Sequence, residues 1–319
     1  MPVINNNSTI ACVTGGTGMV GSHIVNQLTK FGYSVRILSR NKSLNNSNID
    51  RFYGDIRDSR ALQEFLSGAA LLFHCAGELV DQSIMWDVNV GGTELLIRQA
   101  EQSKIKFFCY ISSAGVVGLT DQCLVDEETP CNPVNYYEKS KWAAEQIAAQ
   151  GIDGCKVVIL RPTNVIDEYR PGALTLPQRG SILDRFQVLV KGGECAHIIH
   201  AEDVASAAFF SLSLATGSPQ IYFVSCDHEP YNTFAGLWSL YRTIQAQKPV
   251  ANLKPIFHLP IIIPQLVRRL RRQKGNRGDV LYSSRKLRST GFQFPLGVKG
   301  AVSRIILSSK GKPIESVKC

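Results

Sequence analysis

Residues 9–21 have the sequence TIACVTGGTGMVG, and this stretch decides the fold. Its first six residues, ending at Thr14, form a short apolar run that is typical of a buried strand. The glycines that follow stand three residues apart, at Gly15, Gly18 and Gly21. Beyond them, apolar side chains recur at helical spacing, at Val20, Ile24, Val25 and Leu28. The stretch therefore predicts a strand, a tight glycine turn and a helix.

The same alternation continues along the chain. Apolar runs at 34–38, 71–75, 107–111 and 157–160 predict further strands, with helical stretches between them. Strands that alternate with helices form parallel sheets with right-handed crossovers. We therefore predict an α/β fold with a Rossmann-type doubly wound parallel sheet.

A second, smaller lobe is predicted in the C-terminal half. After Arg161 the chain is broken by prolines and glycines, and an apolar run at 221–224 indicates a return to the first domain. We predict a dinucleotide-binding domain at 1–165 with a return at about 198–226. Residues 166–197 and 227–319 would then form the substrate-binding lobe.

The composition suits a folded protein with a basic surface. Hydrophobic residues make up 44% of the 319 residues and charged residues 19%, and the net charge is +9. Positive potential attracts nucleic acids, membrane surfaces and anionic small molecules alike. We expect a small-molecule substrate and no nucleic-acid partner, and a homodimer is one possible assembly.

The basic residues are concentrated late in the chain, at Arg268, Arg269, Arg271, Arg272, Lys274 and Arg277. Residues 259–274 join an apolar run to this basic run, a pattern that could rest on a membrane surface. The alternative is core packing with a solvated basic face. No run of eighteen apolar residues occurs, so no membrane-spanning helix is predicted.

Neither secretion nor a metal centre is expected. The N-terminus has no basic segment followed by a long apolar run, so we expect a cytoplasmic protein. The nine cysteines form no CxxC pair, which favours free thiols. Cys195, His197 and His200 are close in sequence, but no fourth ligand is evident, and we predict no metal site.

The glycine turn predicts a site for a dinucleotide. Glycine permits a tight turn and lets backbone amides approach a pyrophosphate at the N-terminus of the following helix. An NAD enzyme usually has an acidic residue at the end of its second strand, but this chain has Ser39 and Arg40 there. A guanidinium can pair with the 2′-phosphate of NADP, so NADP is favoured over NAD. The alternative is an ordinary surface arginine.

The spacing of Tyr137 and Lys141 indicates a candidate catalytic pair, and the alternative is an ordinary surface contact between residues four apart. Residues four apart lie on one face of a helix, and the surrounding residues have a helical pattern. A neighbouring ammonium and a cationic nicotinamide would both favour the phenolate form of tyrosine, making Tyr137 a usable acid–base group. Lys141 could also bind the cofactor ribose. Ser113 follows a predicted strand at the sheet edge where such folds bind ligands, and its hydroxyl could hold the substrate oxygen.

The order of these motifs resembles that of the extended short-chain dehydrogenase/reductase family. The resemblance rests on TGGTGMVG at 14–21, GDIRD at 54–58, HCAG at 74–77, NVGGT at 89–93, SSAGVVG at 112–118, YEKSK at 137–141, LRP at 160–162 and HAEDVA at 200–205. It implies an NAD(P)-dependent oxidoreductase or epimerase that transfers a hydride at a secondary alcohol or ketone.

The resemblance also implies a set of site residues. Ser113, Tyr137 and Lys141 would be catalytic, Asp55 would contact the adenine, and Asn89 would help to organise the active site. The full set of predicted cofactor-binding residues is Gly15, Thr17, Gly18, Met19, Gly21, Arg40, Asp55, Ile56, Ala76, Asn89, Tyr137, Lys141 and Pro162.

Two substrate classes are compatible with the resemblance. Ala114 and Gly115 stand where the family's 4,6-dehydratases have an Asp-Glu pair, which argues against a dehydratase. A C-terminal segment that includes Arg277 resembles that of nucleotide-sugar 4-epimerases, although Val117 and Ala196 depart from their pattern. We expect a nucleotide sugar. The alternative is a ketone reductase similar to 3β-hydroxysteroid dehydrogenase or dihydroflavonol reductase, and a catalytically silent dinucleotide sensor is a third reading.

Overall fold

A seven-stranded parallel sheet forms the centre of the computed structural model, which describes residues 9–40, 49–214, 219–263, 266 and 278–309. In chain order its strands are β1 (Ile10–Thr14), β2 (Ser34–Ser39), β3 (Asp50–Tyr53), β4 (Leu71–His74), β5 (Phe107–Ile111), β7 (Lys156–Pro162) and β10 (Gln220–Val224). Their spatial order is β10-β7-β5-β4-β1-β2-β3. The predicted doubly wound α/β fold is confirmed.

Both faces of the sheet are covered by helices. The helices of eight or more residues are α1 (Met19–Lys30), α2 (Ser59–Leu66), α4 (Gly92–Gln102), α5 (Tyr136–Ala148), α7 (Ile182–Lys191), α8 (Ala201–Phe210), α9 (Phe234–Gln245) and α11 (Gly297–Ser309). The shorter ones are α3 (Gln82–Trp86), α6 (Thr175–Arg179) and α10 (Arg285–Ser289).

The hydrophobic core has two halves because successive side chains of a strand point to opposite faces. In β5, Phe107 and Cys109 pack on the face covered by α1, α8 and α11, whereas Phe108 and Tyr110 pack on the face covered by α2, α4 and α5. Burial on both faces explains why β5 and β7 are apolar along nearly their whole length.

Two small parallel sheets lie outside the main one. Strand β8 (Asn164–Ile166) pairs with β9 (Ile198–His200), and β6 (Leu124–Val125) pairs with β11 (Leu281–Tyr282). The apolar run predicted at 221–224 lies within β10 and pairs with β7, which places it in the main sheet. The predicted bounds of the two lobes stay a prediction.

Strand β3, a short strand at the edge of the sheet, was not predicted from the sequence. Its four residues are all partly or fully exposed, and so it lacks the apolar run that marked the other strands. No helix in the described part of the chain is long and apolar enough to cross a membrane.

Candidate active site

The glycine turn lies where the order of the sheet reverses. After β3 the chain returns to form β4 on the other side of β1, and Thr14 pairs with His74 at the carboxyl ends of these two strands. In doubly wound sheets ligands bind in the crevice at such a switch point. The turn after β1 and the loop after β4 form this crevice.

The turn itself has no room for side chains. Gly15 has a φ of +65°, and a Cβ there would lie 2.7 Å from the Ala76 backbone nitrogen. A Cβ on Gly21 would overlap the carbonyl oxygen of Gly15. Helix α1 begins at Met19, and no side chain caps it at Gly18. Its first-turn N–H groups therefore border an open cradle that fits a pyrophosphate.

A cavity of about 660 Å³ extends from this cradle. Every predicted catalytic and cofactor-binding residue except Asn89 lines it: Gly15, Thr17, Gly18, Met19, Gly21, Arg40, Asp55, Ile56, Ala76, Ser113, Tyr137, Lys141 and Pro162. Residues that are 147 positions apart in the sequence, Gly15 and Pro162, thus meet at one site. The volume is within the range of ligand pockets in proteins.

A directional hydrogen-bond chain supports the floor of the cavity. His74 is 1% exposed, and its Nδ1 lies 2.7 Å from Thr14 Oγ1 while its Nε2 lies 2.9 Å from Thr93 Oγ1. Because Thr93 donates to the Asn89 carbonyl oxygen, it accepts from Nε2–H, and Thr14 donates to Nδ1. Burial lowers the pKa of His74 to about 3, so this histidine is neutral. These hydrogen bonds connect β1 and β4 to α4.

Ser113 and Tyr137 meet at the edge of the cavity. Ser113 accepts a hydrogen bond from the Gly115 amide at the start of a 3-10 turn, which fixes its position after β5. Asn135 and Glu138 form a capping box that starts α5 beside Tyr137. The pKa of Tyr137 is raised, because the effect of burial exceeds that of a hydrogen bond with the Ser113 hydroxyl, which lowers this pKa.

The ammonium of Lys141 lies at the end of β5. It is buried, donates to the Ile111 carbonyl oxygen at 2.8 Å and lies 4.3 Å from the centre of the Tyr110 ring. Burial lowers the pKa of Lys141 to about 8. The ammonium is directed at the end of β5, and the lowering of the pKa of Tyr137 expected from Lys141 stays a prediction.

Charged residues border the opposite end of the cavity. Arg57 donates to Asp55 through its backbone nitrogen and its guanidinium, at 2.8 to 3.0 Å. These hydrogen bonds lower the pKa of Asp55, and the charge of Arg40 adds a smaller lowering. Arg40 is exposed and lines the cavity, so it is available for an anionic group.

Asn89 acts behind the wall of the cavity. Its side chain is 2% exposed, accepts from the Glu78 amide at 2.7 Å and donates to the Glu78 carbonyl oxygen and to Ser140 Oγ. It thereby joins the loop after β4 to α5. This position agrees with an organising role and not with direct cofactor contact.

A buried ion pair holds α5 against the sheet. Glu145 and Arg161 are 0% and 2% exposed, and Arg161 Nη2 donates to Glu145 Oε1 at 2.6 Å. Ser112 donates to the other carboxylate oxygen at 2.6 Å. Glu145 lies one helical turn after Lys141, while Ser112 precedes Ser113. The pair therefore holds α5, which carries Tyr137 and Lys141, in register with the segment that carries Ser113.

Several features of the site were missed in the sequence. Thr163, Asn164 and Arg170 also line the cavity, but they follow the LRP motif in a stretch without periodicity. Cys195 and His197, which the sequence offered with His200 as a metal site that we did not predict, have their ligand atoms within 4.8 Å of those of Asp227. Asp227 Oδ2 is 2.6 Å from His197 Nδ1. Arg277 and the basic run from Arg268 lie outside the described residues.

The chain is similar to known proteins in family, sequence and structure. A family model described as "NAD dependent epimerase/dehydratase family" matches residues 11–225. The sterol-4-alpha-carboxylate 3-dehydrogenase (decarboxylating) of Dictyostelium discoideum is 32% identical over 68% of this chain and 71% of its own length. The UDP-glucose 4-epimerase of Lactobacillus helveticus is 31% identical over 51% and 53%.

A short-chain dehydrogenase/reductase superfamily protein from Agrobacterium tumefaciens, solved with bound NAD, superposes with a TM-score of 0.73. It is 19% identical, and the match covers 95% of this chain and 97% of that protein, which shows a shared fold. The chain spans about half the length of three of the curated relatives it matches, 52% to 53%.

Proposed function

Because the chain belongs to the NAD dependent epimerase/dehydratase family, we propose that it is an NAD(P)-dependent enzyme that transfers a hydride at a secondary alcohol or ketone. The observation that carries the proposal is the position of Ser113, Tyr137 and Lys141 in one cavity with the glycine turn. A silent dinucleotide sensor would not need a buried lysine beside a serine–tyrosine hydrogen bond.

Each of the three side chains has a separate task in this proposal. When bound, the nicotinamide supplies or accepts the hydride. Tyr137 exchanges a proton with the substrate oxygen, and Ser113 donates a hydrogen bond that holds this oxygen. Lys141, buried and held by the Ile111 carbonyl oxygen, contributes positive charge to the cavity and reaches the ribose. Since burial opposes ionisation of Tyr137, the protonated tyrosine is the resting form.

We expect NADP to bind more tightly than NAD. Arg40 lines the cavity at the end of β2, near Asp55, where it can pair with a 2′-phosphate. Calorimetric titration of both cofactors against the wild type and Arg40→Asp tests this: the substitution should weaken NADP and spare NAD. Arg60, which is exposed at the start of α2, provides the control as Arg60→Asp. Equal affinities of the wild type for NADP and NAD would contradict the proposed preference for NADP.

For the substrate we favour a nucleotide sugar. The family includes epimerases that act on such substrates, and UDP-glucose 4-epimerase is among the curated relatives. Arg170 lines the cavity beyond Pro162 and can pair with a diphosphate. The cytoplasmic location and the homodimer expected from the sequence stay predictions.

A second substrate class is an apolar ketone such as a sterol. Leu79 and Val80, in the loop after β4, are 63% and 85% exposed, and Leu79 lines the cavity. Large exposed apolar side chains beside a site favour an apolar ligand over a sugar. The sterol dehydrogenase from Dictyostelium discoideum also matches more of this chain than the UDP-glucose 4-epimerase does.

Thermal-shift measurements separate the two classes. If the substrate is a nucleotide sugar, UDP, GDP or dTDP at saturating concentration should raise the midpoint of unfolding by about 2 °C or more. The shift should decrease in Arg170→Met or Arg277→Met and at high salt, which screens charge. Lys299→Met, at an exposed position of α11, is the control. No stabilisation by any diphosphate, together with turnover of a ketosteroid, would assign the apolar class.

A further inference from the structure

Helix α7 carries an apolar face that no described residue covers. Ser181 and Asp184 form a capping box at its start. Val188 is its one fully buried apolar side chain, whereas Ile182, Leu183 and Phe186 are 86%, 80% and 62% exposed. Amphipathic helices of globular proteins normally turn such a face toward the core. Here the apolar residues face outward.

The chain at 256–263 extends this apolar surface. The Leu259 amide donates to the Leu189 carbonyl oxygen at 2.8 Å, so this segment lies against the C-terminal half of α7. Ile256 packs against the small cluster that contains Val188, while Phe257 is 79% exposed. Ile262 and Leu266, 59% and 51% exposed, continue the segment. Ile262 and Leu266 therefore do not have the core packing weighed as the alternative for 259–274, most of which lies outside the described residues.

We call this surface the α7 patch and define it by six exposed side chains: Ile182, Leu183, Phe186, Phe257, Ile262 and Leu266. Large exposed apolar side chains grouped on two adjoining segments are typical of a site of interaction with a protein or a membrane.

The exposed charged residues on the two segments that carry the α7 patch are basic. Within residues 175–191 and 254–263 the one acidic residue is Asp184, which is 5% exposed and bound to Ser181 and Arg179. The exposed ionisable residues of the same segments are Arg179, Arg185, Lys191 and Lys254. An anionic partner therefore complements this surface.

We propose that the α7 patch docks on an anionic lipid bilayer. Its apolar side chains would enter the boundary between headgroups and acyl chains, and the basic residues beside them would contact lipid phosphates. A second copy of the chain fits less well, since a two-fold contact would bring the same basic residues opposite each other. The proposal goes beyond the enzymatic function and does not depend on it.

Vesicle flotation of the full chain tests the proposal. We expect binding to vesicles rich in phosphatidylglycerol and little binding to pure phosphatidylcholine. Binding should weaken at about 1 M salt, where the Debye length is about 3 Å. The double variant Phe186→Ser with Phe257→Ser should lower the partition coefficient by at least about tenfold, because two exposed rings no longer enter the bilayer. Arg185→Glu should also lower it.

Leu307, which is 70% exposed on α11 outside the patch, provides the matched control as Leu307→Ser. Tryptophan at position 186, introduced as Phe186→Trp, should add fluorescence that brominated lipids quench, and Leu307→Trp should not. Absence of binding to the anionic vesicles overturns the proposal, as does equal loss in the double variant and in Leu307→Ser. Conversion of a dimer to a monomer by the double variant, measured by light scattering, would instead assign the patch to contact between copies.

Discussion

Tyr137→Phe is expected to lower turnover by about 10²–10⁴-fold, the usual contribution of general acid–base catalysis. The substitution removes the hydroxyl that we propose exchanges a proton with the substrate, and it keeps the ring in place. Cofactor affinity should change little. Steady-state kinetics on the substrate found by screening, with calorimetry for the cofactor, measures both quantities.

Tyr136→Phe is the matched control, because Tyr136 is the neighbouring residue of α5 and is 41% exposed. Lys141→Met should lower both turnover and cofactor affinity, since it removes a buried charge and the proposed ribose contact. Ser113→Ala should act mainly on turnover. Full activity of Tyr137→Phe would contradict the proposed mechanism, even though the glycine turn would still indicate a dinucleotide-binding fold.

Glu145→Ala is expected to lower the free energy of unfolding by about 3–5 kcal/mol, because it leaves the Arg161 guanidinium buried without its partner. Domains are stable by about 5–15 kcal/mol, so this loss would bring the protein close to unfolding. Urea titration followed by circular dichroism measures the change.

Two further variants distinguish the cost of leaving a buried charge unpaired from the cost of lost packing. Glu94→Ala breaks an exposed pair with Arg98 on α4 and should cost at most about 0.5 kcal/mol. Glu145→Met combined with Arg161→Met replaces the buried pair by apolar side chains and should recover most of the stability. An equal cost for Glu145→Ala and Glu94→Ala would contradict the role assigned to the pair.

The fold was predictable because its signals are local. Strands β1, β4, β5 and β7 are buried on both faces and so appear as continuous apolar runs between helical patterns. Strand β3 is only partly buried and has no such run. The pairings β8 with β9 and β6 with β11 join residues far apart in the sequence, and two or three residues a strand leave no periodicity to detect.

The site was predictable as far as the glycine spacing and the Tyr137–Lys141 pair are motifs that indicate a particular chemistry. The sequence did not predict which way the buried side chains point. Lys141 is aimed at the Ile111 carbonyl oxygen because burial demands a partner for its ammonium, and Asn89 faces the loop after β4 and not the cavity. Arg161 and Glu145 were visible as residues, but their pairing depends on the packing of α5 on β7.

Strand β10 has a protective role that follows from its place in the sheet. It pairs with β7 along Val158–Pro162, and without it the Val-Val-Ile-Leu segment of β7 would present an unsatisfied, apolar edge. Such an edge is a template for pairing between molecules and hence for aggregation. A nascent chain that has not yet reached Gln220 already contains both the glycine turn and the catalytic helix. During synthesis, the chain would therefore contain its proposed catalytic residues before β10 is present to cover the aggregation-prone edge of β7.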